Sequence, residues 1–311
     1  MKKEFEIERD QSGKRIDKAL VNLKIDPEFS RADFSRAIKK GDVKVNGAIV
    51  KSGYVLKEGD VVSVDVAQKN KKTKATPNIK LEIIFEDENI IAVNKRAGIK
   101  IHPDSGEDEN DTLVGGLLAK YPELTDIGDG AVDSFLRPGI VHRLDKDTSG
   151  VIIVARNQKA FEALKEKFSK HEIEKKYLAL VFGKLEKKKG TIDADIARSS
   201  TYRRQVIASK KTKTKIRTAI TDYEVVQEFE NYSLVEARPK TGRMHQIRIH
   251  LFSIGHPLIG DRLYRKKIFA TPEFPSALRQ MLHAKEIKLE LFGKDYLFTA
   301  PIPEDFESLL I

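Results

Sequence analysis

The 311-residue chain contains no cysteine and no tryptophan. Without cysteine there can be no disulfide framework, no thiolate metal ligand and no thiol nucleophile. Long apolar runs are missing as well: no stretch approaches the roughly 18–20 apolar residues that a membrane helix needs. The opening MKKEFEIERD lacks the apolar centre of a signal peptide. These absences predict a soluble, cytoplasmic protein with no membrane association. Phosphate-binding P-loops, dinucleotide fingerprints and Gly-x-Ser-x-Gly elbows are absent too, which removes the sequence signatures of three large enzyme classes.

What the chain does have is charge. Charged residues make up 33% of it, with a net charge of +10. The excess is uneven: between Lys184 and Arg217 twelve residues are basic and three acidic. Local basic blocks favour a polyanionic partner, nucleic acid being the commonest. A solvated surface would give the same composition, so charge alone does not choose.

Residues 12–66 read as a compact αβ unit. Ser12 is positioned to cap a helix whose apolar positions Ile16, Ala19, Leu20 and Leu23 recur at helical spacing. Ser30 would cap a second helix closed by Gly41, with Phe34, Ala37 and Ile38 on one face and Arg36, Lys39 and Lys40 on the other. Asn46-Gly47 inside VKVNGAIV is a strong hairpin signal, and GDVVSVDV adds a last strand. The polar, basic stretch 67–78 reads as a flexible linker. Beyond it, residues 79–311 alternate strands and irregularly spaced helices, including one capped by Asn157. The predicted class is α+β: a small αβ domain linked to a domain built on a mainly antiparallel mixed β-sheet flanked by helices and loops.

The chemistry concentrates in RPGIVHRLDKDTSGVIIVAR, residues 137–156, where His142 to Asp147 interrupt two apolar runs. His142, Asp145 and Asp147 lack a recognisable metal-ligand spacing, and His245 and His250 lie five apart rather than the four of a helical zinc pair. A helix spanning Met244 to Ser253 would carry Met244, Ile247 and Leu251 on its apolar face, with Arg248 among them and with Arg243 and Gln246 pointing elsewhere. A buried arginine cannot shed its charge, so it needs an anionic partner, and Asp145 is the natural candidate. A snorkelling side chain or a purely architectural salt bridge would give the same pattern.

The segment 137–156 closely resembles the signature of the RluA/RluD class of pseudouridine synthases. The resemblance continues through KKYLALVFGKL, RPKTGRMHQIRIHLFSIGHPLIGDRLY and LHAKEIKLELFGKDYLFTAPIPEDF, covering nearly all of residues 79–311 in order. Residues 12–66 resemble the small RNA-binding module shared with a ribosomal small-subunit protein. The resemblance implies an enzyme that isomerises uridines in RNA, by base flipping and without cofactor or metal. Large-subunit ribosomal RNA is the implied substrate, with transfer RNA an alternative, and the protein is expected to be monomeric. It also implies Asp145 as the catalytic aspartate, Tyr177 as the aromatic that stacks on the base, and Arg248 as the ion-pair partner of Asp145. Arg143 would help hold the duplex open, and Leu258 or Ile259 would supply the apolar wall of the pocket. Extrusion of a base costs a few kcal/mol and requires a grip on the flanking backbone. Arg15, Arg31, Arg36, Lys39 and Lys40 could supply it on the small domain, and Arg203, Arg204, Lys210, Lys211 and Lys213 on the large one. His142, His245 and His256 are expected to serve as structural hydrogen-bonding groups. Departures from the family pattern at Arg96, Met244 and Arg265 leave every proposed catalytic residue in place. Two rival readings remain at this level: a non-catalytic RNA-binding or assembly factor, and a metal-dependent RNA hydrolase.

Overall fold

The computed structural model describes residues 2–26, 29, 31–66, 73–103, 111–130, 134–199, 204–265 and 275–311. The first stretch of chain forms β1 (Lys2–Glu6), α1 (Ile16–Asn22), α2 (Arg31–Lys40), β2 (Val43–Val45), β3 (Ala48–Ile49) and β4 (Val61–Asp65). The strands pair antiparallel in the order β1-β4-β2-β3. Ile16, Leu20, Phe34 and Ile38 from the helices bury against Val43, Val62 and Val64 from the sheet, so the spacing of apolar residues translates directly into a core. Asn46 and Gly47 turn the β2–β3 hairpin with φ of 51° and 76°, the left-handed pair that such a two-residue turn demands.

Two expectations for this unit need correction. It begins before residue 12, because β1 supplies an edge strand. Ser12 does not cap α1: Arg15 holds that position without a side-chain bond, and the Ser12 hydroxyl instead lies 3.5 Å from the Leu56 carbonyl. Ser30 lies outside the described residues, as do positions 67–72 of the expected linker and most of the acidic loop 104–111.

The second unit carries β5 (Ile83–Glu86), β6 (Ile90–Lys95), α3 (Leu113–Lys120), β7 (Ser149–Ala155), α4 (Gln158–Lys170), β8 (Glu174–Phe182) and β9 (Lys189–Asp193). It continues with β10 (Ile196–Arg198), β11 (Gln205–Ile207), β12 (Ile216–Arg217), β13 (Ile220–Glu228), β14 (Tyr232–Pro239) and α5 (Gln246–Ser253). The last elements are β15 (Leu282–Leu291), β16 (Lys294–Thr299) and α6 (Glu304–Glu307). Among the described residues, nine strands form one sheet, in the order β5-β6-β7-β15-β8-β14-β13-β9 with β16 beside β15. The β7–β15 pair is parallel and the sheet's other pairs are antiparallel, giving the mixed, mainly antiparallel sheet of an α+β domain. β10, β11 and β12 make a separate small antiparallel sheet.

β7 is buried at every position, as its apolar run requires of a central strand. Asn157 caps α4 by accepting the Ala160 N–H at 2.8 Å, and His171 ends that helix in the left-handed conformation. The register of β15 positions the site. Ala284 pairs with Gly150 on one side and with Tyr177 on the other. The loop feeding β7 and the middle of β8 are thereby held one strand apart. Gly150 has φ of +114°, and a Cβ there would sit 2.2 Å from the Ala284 carbonyl oxygen, so this approach requires glycine.

Candidate active site

A cleft of about 480 Å³ opens where the loop before β7 meets β8 and the start of α5. Asp145 lies on that loop, in a turn closed by the Thr148 N–H on the Asp145 carbonyl. Lys95 holds the turn from below. Its side chain is 1% exposed and donates to the carbonyls of Arg96, Ile99 and Lys146 at 2.8–3.0 Å. Burial pushes the Lys95 ammonium down to about 7, against the pull of Asp147 and Asp145. Arg279 pins the same loop from another side, donating to the Asp147 carbonyl while its fork grips Asp305 at 2.6 and 2.8 Å.

The expected ion pair is present. Arg248 Nη1 donates to Asp145 Oδ2 at 2.8 Å, while Asp145 Oδ1 makes no hydrogen bond among the described residues. The arginine has a second partner that the sequence did not reveal. Its Nε and Nη2 meet the two oxygens of Asp261 at 2.7 and 3.0 Å, in the bidentate geometry that suits a guanidinium. Asp261 is fixed in turn by the N–H groups of Leu263 and Tyr264 at 2.8 and 3.0 Å. Gly260, with φ of +75°, lets this turn press against Arg279, whose carbonyl oxygen would lie 1.9 Å from a Cβ. Burial opposes the charge on Arg248, but the bonds to Asp261 and Asp145 outweigh it, and the guanidinium holds its proton more tightly than usual. The Tyr264 ring lies against the same guanidinium, 5.2 Å from its central carbon.

Arg248 is buried for a different reason from the one its spacing implied. α5 begins at Gln246, not Met244, and Gln246 to Leu251 are all buried, so the helix has no solvent-exposed face over those residues. Met244 lies before the helix and is 37% exposed. Gln246, expected to point away, is bound to Thr241, Thr221 and the Ile220 carbonyl.

Tyr177 lines the cleft from β8, half-buried, with its hydroxyl unbonded among the described residues. Burial and then the negative charge of Asp145 push that hydroxyl upward, so it stays protonated at neutral pH and can donate a hydrogen bond. Arg143 is exposed at the cleft rim. Leu258 and Ile259 do not form the apolar wall. They are 1% and 0% exposed, Leu258 packed with Leu251 and Leu282 and Ile259 with Leu180 and Met281, in two apolar clusters on opposite faces of β8. The apolar lining comes instead from Ile140, Val141, Leu144, Ile247 and Leu282.

The histidines take hydrogen-bonding positions. His142 Nε2 accepts the Ile153 N–H at 2.8 Å, and its ring stacks on Phe168. Burial, reinforced by Lys175, pushes its pKa down to about 3. His256 Nδ1 lies 2.9 Å from the Phe182 carbonyl. His245 has the left-handed φ of 57° and places Nδ1 3.0 Å from the Tyr264 hydroxyl and Nε2 3.8 Å from Asp145 Oδ2. Burial lowers its pKa against the opposing pull of Asp145.

The basic residues fall into distinct settings. Arg15 and Arg31 both grip the buried carboxylate of Asp17, with closest contacts of 3.0 and 2.8 Å. Burial opposes that carboxylate's charge, yet bonds from both guanidiniums bring its pKa below the usual range. Arg36 is paired with Asp33. These three arginines are therefore paired yet half-exposed, while Lys39 and Lys40 are exposed, with Lys40 3.5 Å from Asp42. On the second unit, Lys210, Lys211 and Lys213 occupy the exposed turn between β11 and β12, and Arg204 is half-buried. The Gln205 N–H of β11 donates to the Tyr264 hydroxyl at 2.8 Å, which ties this basic sheet to the ring beneath Arg248. Arg203 lies outside the described residues.

Residues 89–253 match the family described as RNA pseudouridylate synthase, and residues 14–62 match the S4 domain. The chain is 37% identical over 303 residues to a Bacillus subtilis protein named uncharacterized RNA pseudouridine synthase YlyB, covering 97% of this chain and 94% of that one. It is 36% identical to the ribosomal large subunit pseudouridine synthase D of Xylella fastidiosa, over 96% of this chain and 88% of that one. Among solved structures, human RNA pseudouridylate synthase domain containing 1 superposes with a TM-score of 0.58 at 26% identity, over 72% of this chain and 84% of that one.

Proposed function

The chain belongs to the RNA pseudouridylate synthase family, and from that premise we propose that it converts specific uridines of large-subunit ribosomal RNA to pseudouridine, with Asp145 as the reacting carboxylate. The family assignment makes it an isomerase acting on RNA; the ribosomal target follows the printed name of its relatives. The observation that carries the residue roles is Nη1 of Arg248, which holds Asp145 Oδ2 at 2.8 Å while Oδ1 has no hydrogen bond among the described residues and Asp145 lines the cleft. A carboxylate held in that way is oriented before substrate arrives, so little reorganisation is needed at the moment of reaction. Tyr177, on the adjoining strand, offers its ring to the extruded uracil and its hydroxyl as a donor. Arg143, at the rim, fills the space the base leaves in the duplex. The guanidinium pairs on Asp17 and the exposed lysines after β11 hold the flanking phosphates.

The test uses an unmodified transcript of large-subunit ribosomal RNA labelled with tritium at uracil carbon five. The wild-type protein is expected to release tritium, and Asp145→Asn to release none while still binding the transcript. Release by the variant would overturn the role of Asp145. A wild-type protein that leaves this transcript unmodified would overturn the choice of substrate, and mapping pseudouridines in a strain lacking the protein would locate the true target.

A further inference from the structure

Lys175 has surroundings that the ion-pair chemistry above does not use. It precedes Tyr177 by two residues on β8, so both side chains project from the same face of the strand, and both line the cleft. Lys176, on the opposite face, is matched by Glu286 at 2.8 Å. Lys175 is only 9% exposed and has no hydrogen-bonding or ionic partner among the described residues. A buried ammonium without a partner is expensive, and a fold keeps one when a ligand completes the site. His142 and His171 line the same cleft and feel the positive charge of Lys175, and Phe168 stacks on His142.

We propose that Lys175 is the recognition group for the extruded uracil, donating from its ammonium to a uracil carbonyl oxygen and neutralising the charge that collects there when the base leaves the ribose. The proposal rests on the reading of Tyr177 as the ring that stacks on that base. In the step concerned, the C1′–N1 bond breaks and its electron pair passes to uracil N1, spreading onto O2 and O4. The ring turns, C5 bonds to C1′, the C5 proton departs, and N1 regains a proton, so reactant and product are isomers. Lys175 keeps its proton throughout. A backbone phosphate is a poorer occupant, because it is heavily hydrated and would be drawn to the exposed arginines at the rim rather than to a walled-in lysine. Burial pushes the Lys175 ammonium down to about 8, so its charge is sensitive to mildly alkaline conditions. The groups facing it do not titrate in that range: His142 and His171 are held low, Tyr177 is held high, and Arg243 is permanently charged.

The test is Lys175→Met, alongside Asp145→Asn, in the tritium-release assay with the same ribosomal transcript. Loss of a preorganised donor to developing charge predicts a fall in kcat of about 100-fold. RNA affinity should stay within about twofold, and the melting temperature should be equal to or above wild type, since a partnerless buried charge has been removed. Wild-type kcat should also decline above about pH 8 as the ammonium loses its proton, with no such decline in Lys175→Arg. Near-wild-type release by Lys175→Met would overturn the proposal. A loss confined to KM and RNA binding would assign the lysine to a phosphate, and a lowered melting temperature would assign it to the fold. Release by Asp145→Asn would instead overturn the underlying catalytic reading, whatever Lys175 does.

Discussion

Replacing Asp261 by asparagine tests the architecture of the site without touching Asp145, the proposed reacting carboxylate. Arg248 is 5% exposed and distributes its donors between the two aspartates. The Asp261 side chain is 0% exposed, whereas that of Asp145 is 18% exposed. Asparagine at 261 keeps the shape and one acceptor, but turns an NH2 group toward a guanidinium that can only donate. Removing one partner of a buried pair costs roughly 3–5 kcal/mol, and Asp145 offsets part of it, so a loss of about 3 kcal/mol is expected. Asparagine at 145 leaves Arg248 its bidentate partner and places the new amide beside the open cleft, so a loss below about 1 kcal/mol is expected. At about 2–4 °C per kcal/mol for a domain of this size, Asp261→Asn should melt on the order of 10 °C lower and Asp145→Asn within about 3 °C of wild type. Calorimetry and urea unfolding at matched m values would measure both, with tritium release recorded on the same preparations. The expected pattern is a stable, inactive Asp145→Asn and a destabilised, weakly active Asp261→Asn. Equal destabilisation by the two would refute the reasoning, because it would mean that Asp145 anchors the arginine as firmly as Asp261 does.

Gly260→Ala should fold poorly, since its Cβ would fall 1.9 Å from the Arg279 carbonyl oxygen at a φ of +75°; a destabilisation of at least about 2 kcal/mol is expected in urea unfolding, and an unchanged midpoint would refute it. His142 should make the protein acid-sensitive above the carboxylate range. Its pKa falls from 6.5 to about 3 on folding, so the unfolded chain binds the extra proton, and stability is full above pH 6.5 and lost as pH falls toward 3. Urea midpoints at pH 7 and pH 5 should differ by less in His142→Asn than in wild type, and an identical difference would remove His142 from the account.

Much of the fold was legible because local chemistry governs it. The Asn46-Gly47 turn, the Asn157 cap and the apolar run of β7 each carry their instruction within a few residues. The Asp145–Arg248 pair was legible from a simple constraint, that a buried guanidinium must find an anion. Other features depend on what the chain meets after folding. Gly260-Asp261 reads as one more polar turn, and only the tertiary structure places Asp261 beneath Arg248. α5 is buried on every side from Gln246 to Leu251, so reading it as amphipathic identified the right arginine through the wrong face. The arginines of the small unit looked free when charges were counted singly, whereas Arg15, Arg31 and Arg36 rest on Asp17 and Asp33. Leu258 and Ile259 carried no mark to distinguish a pocket wall from a core layer, and the structure puts them in the core. Lys175 lay hidden in a run of charge, EIEKKY, in which only the alternation of a strand separates the paired lysine from the unpaired one.

The place of β15 in the sheet sets a timetable for the enzyme. It pairs with both β7 and β8, yet it follows every other strand except β16 in the sequence. A growing chain therefore makes Asp145, Tyr177 and Arg248 long before it makes the strand that brings them into register. Until β15 arrives, β7 and β8 have no strand between them to set their register, and the residues that line the cleft lack that frame. A chain cut short before β15 would lack the strand on which β7 and β8 are both registered.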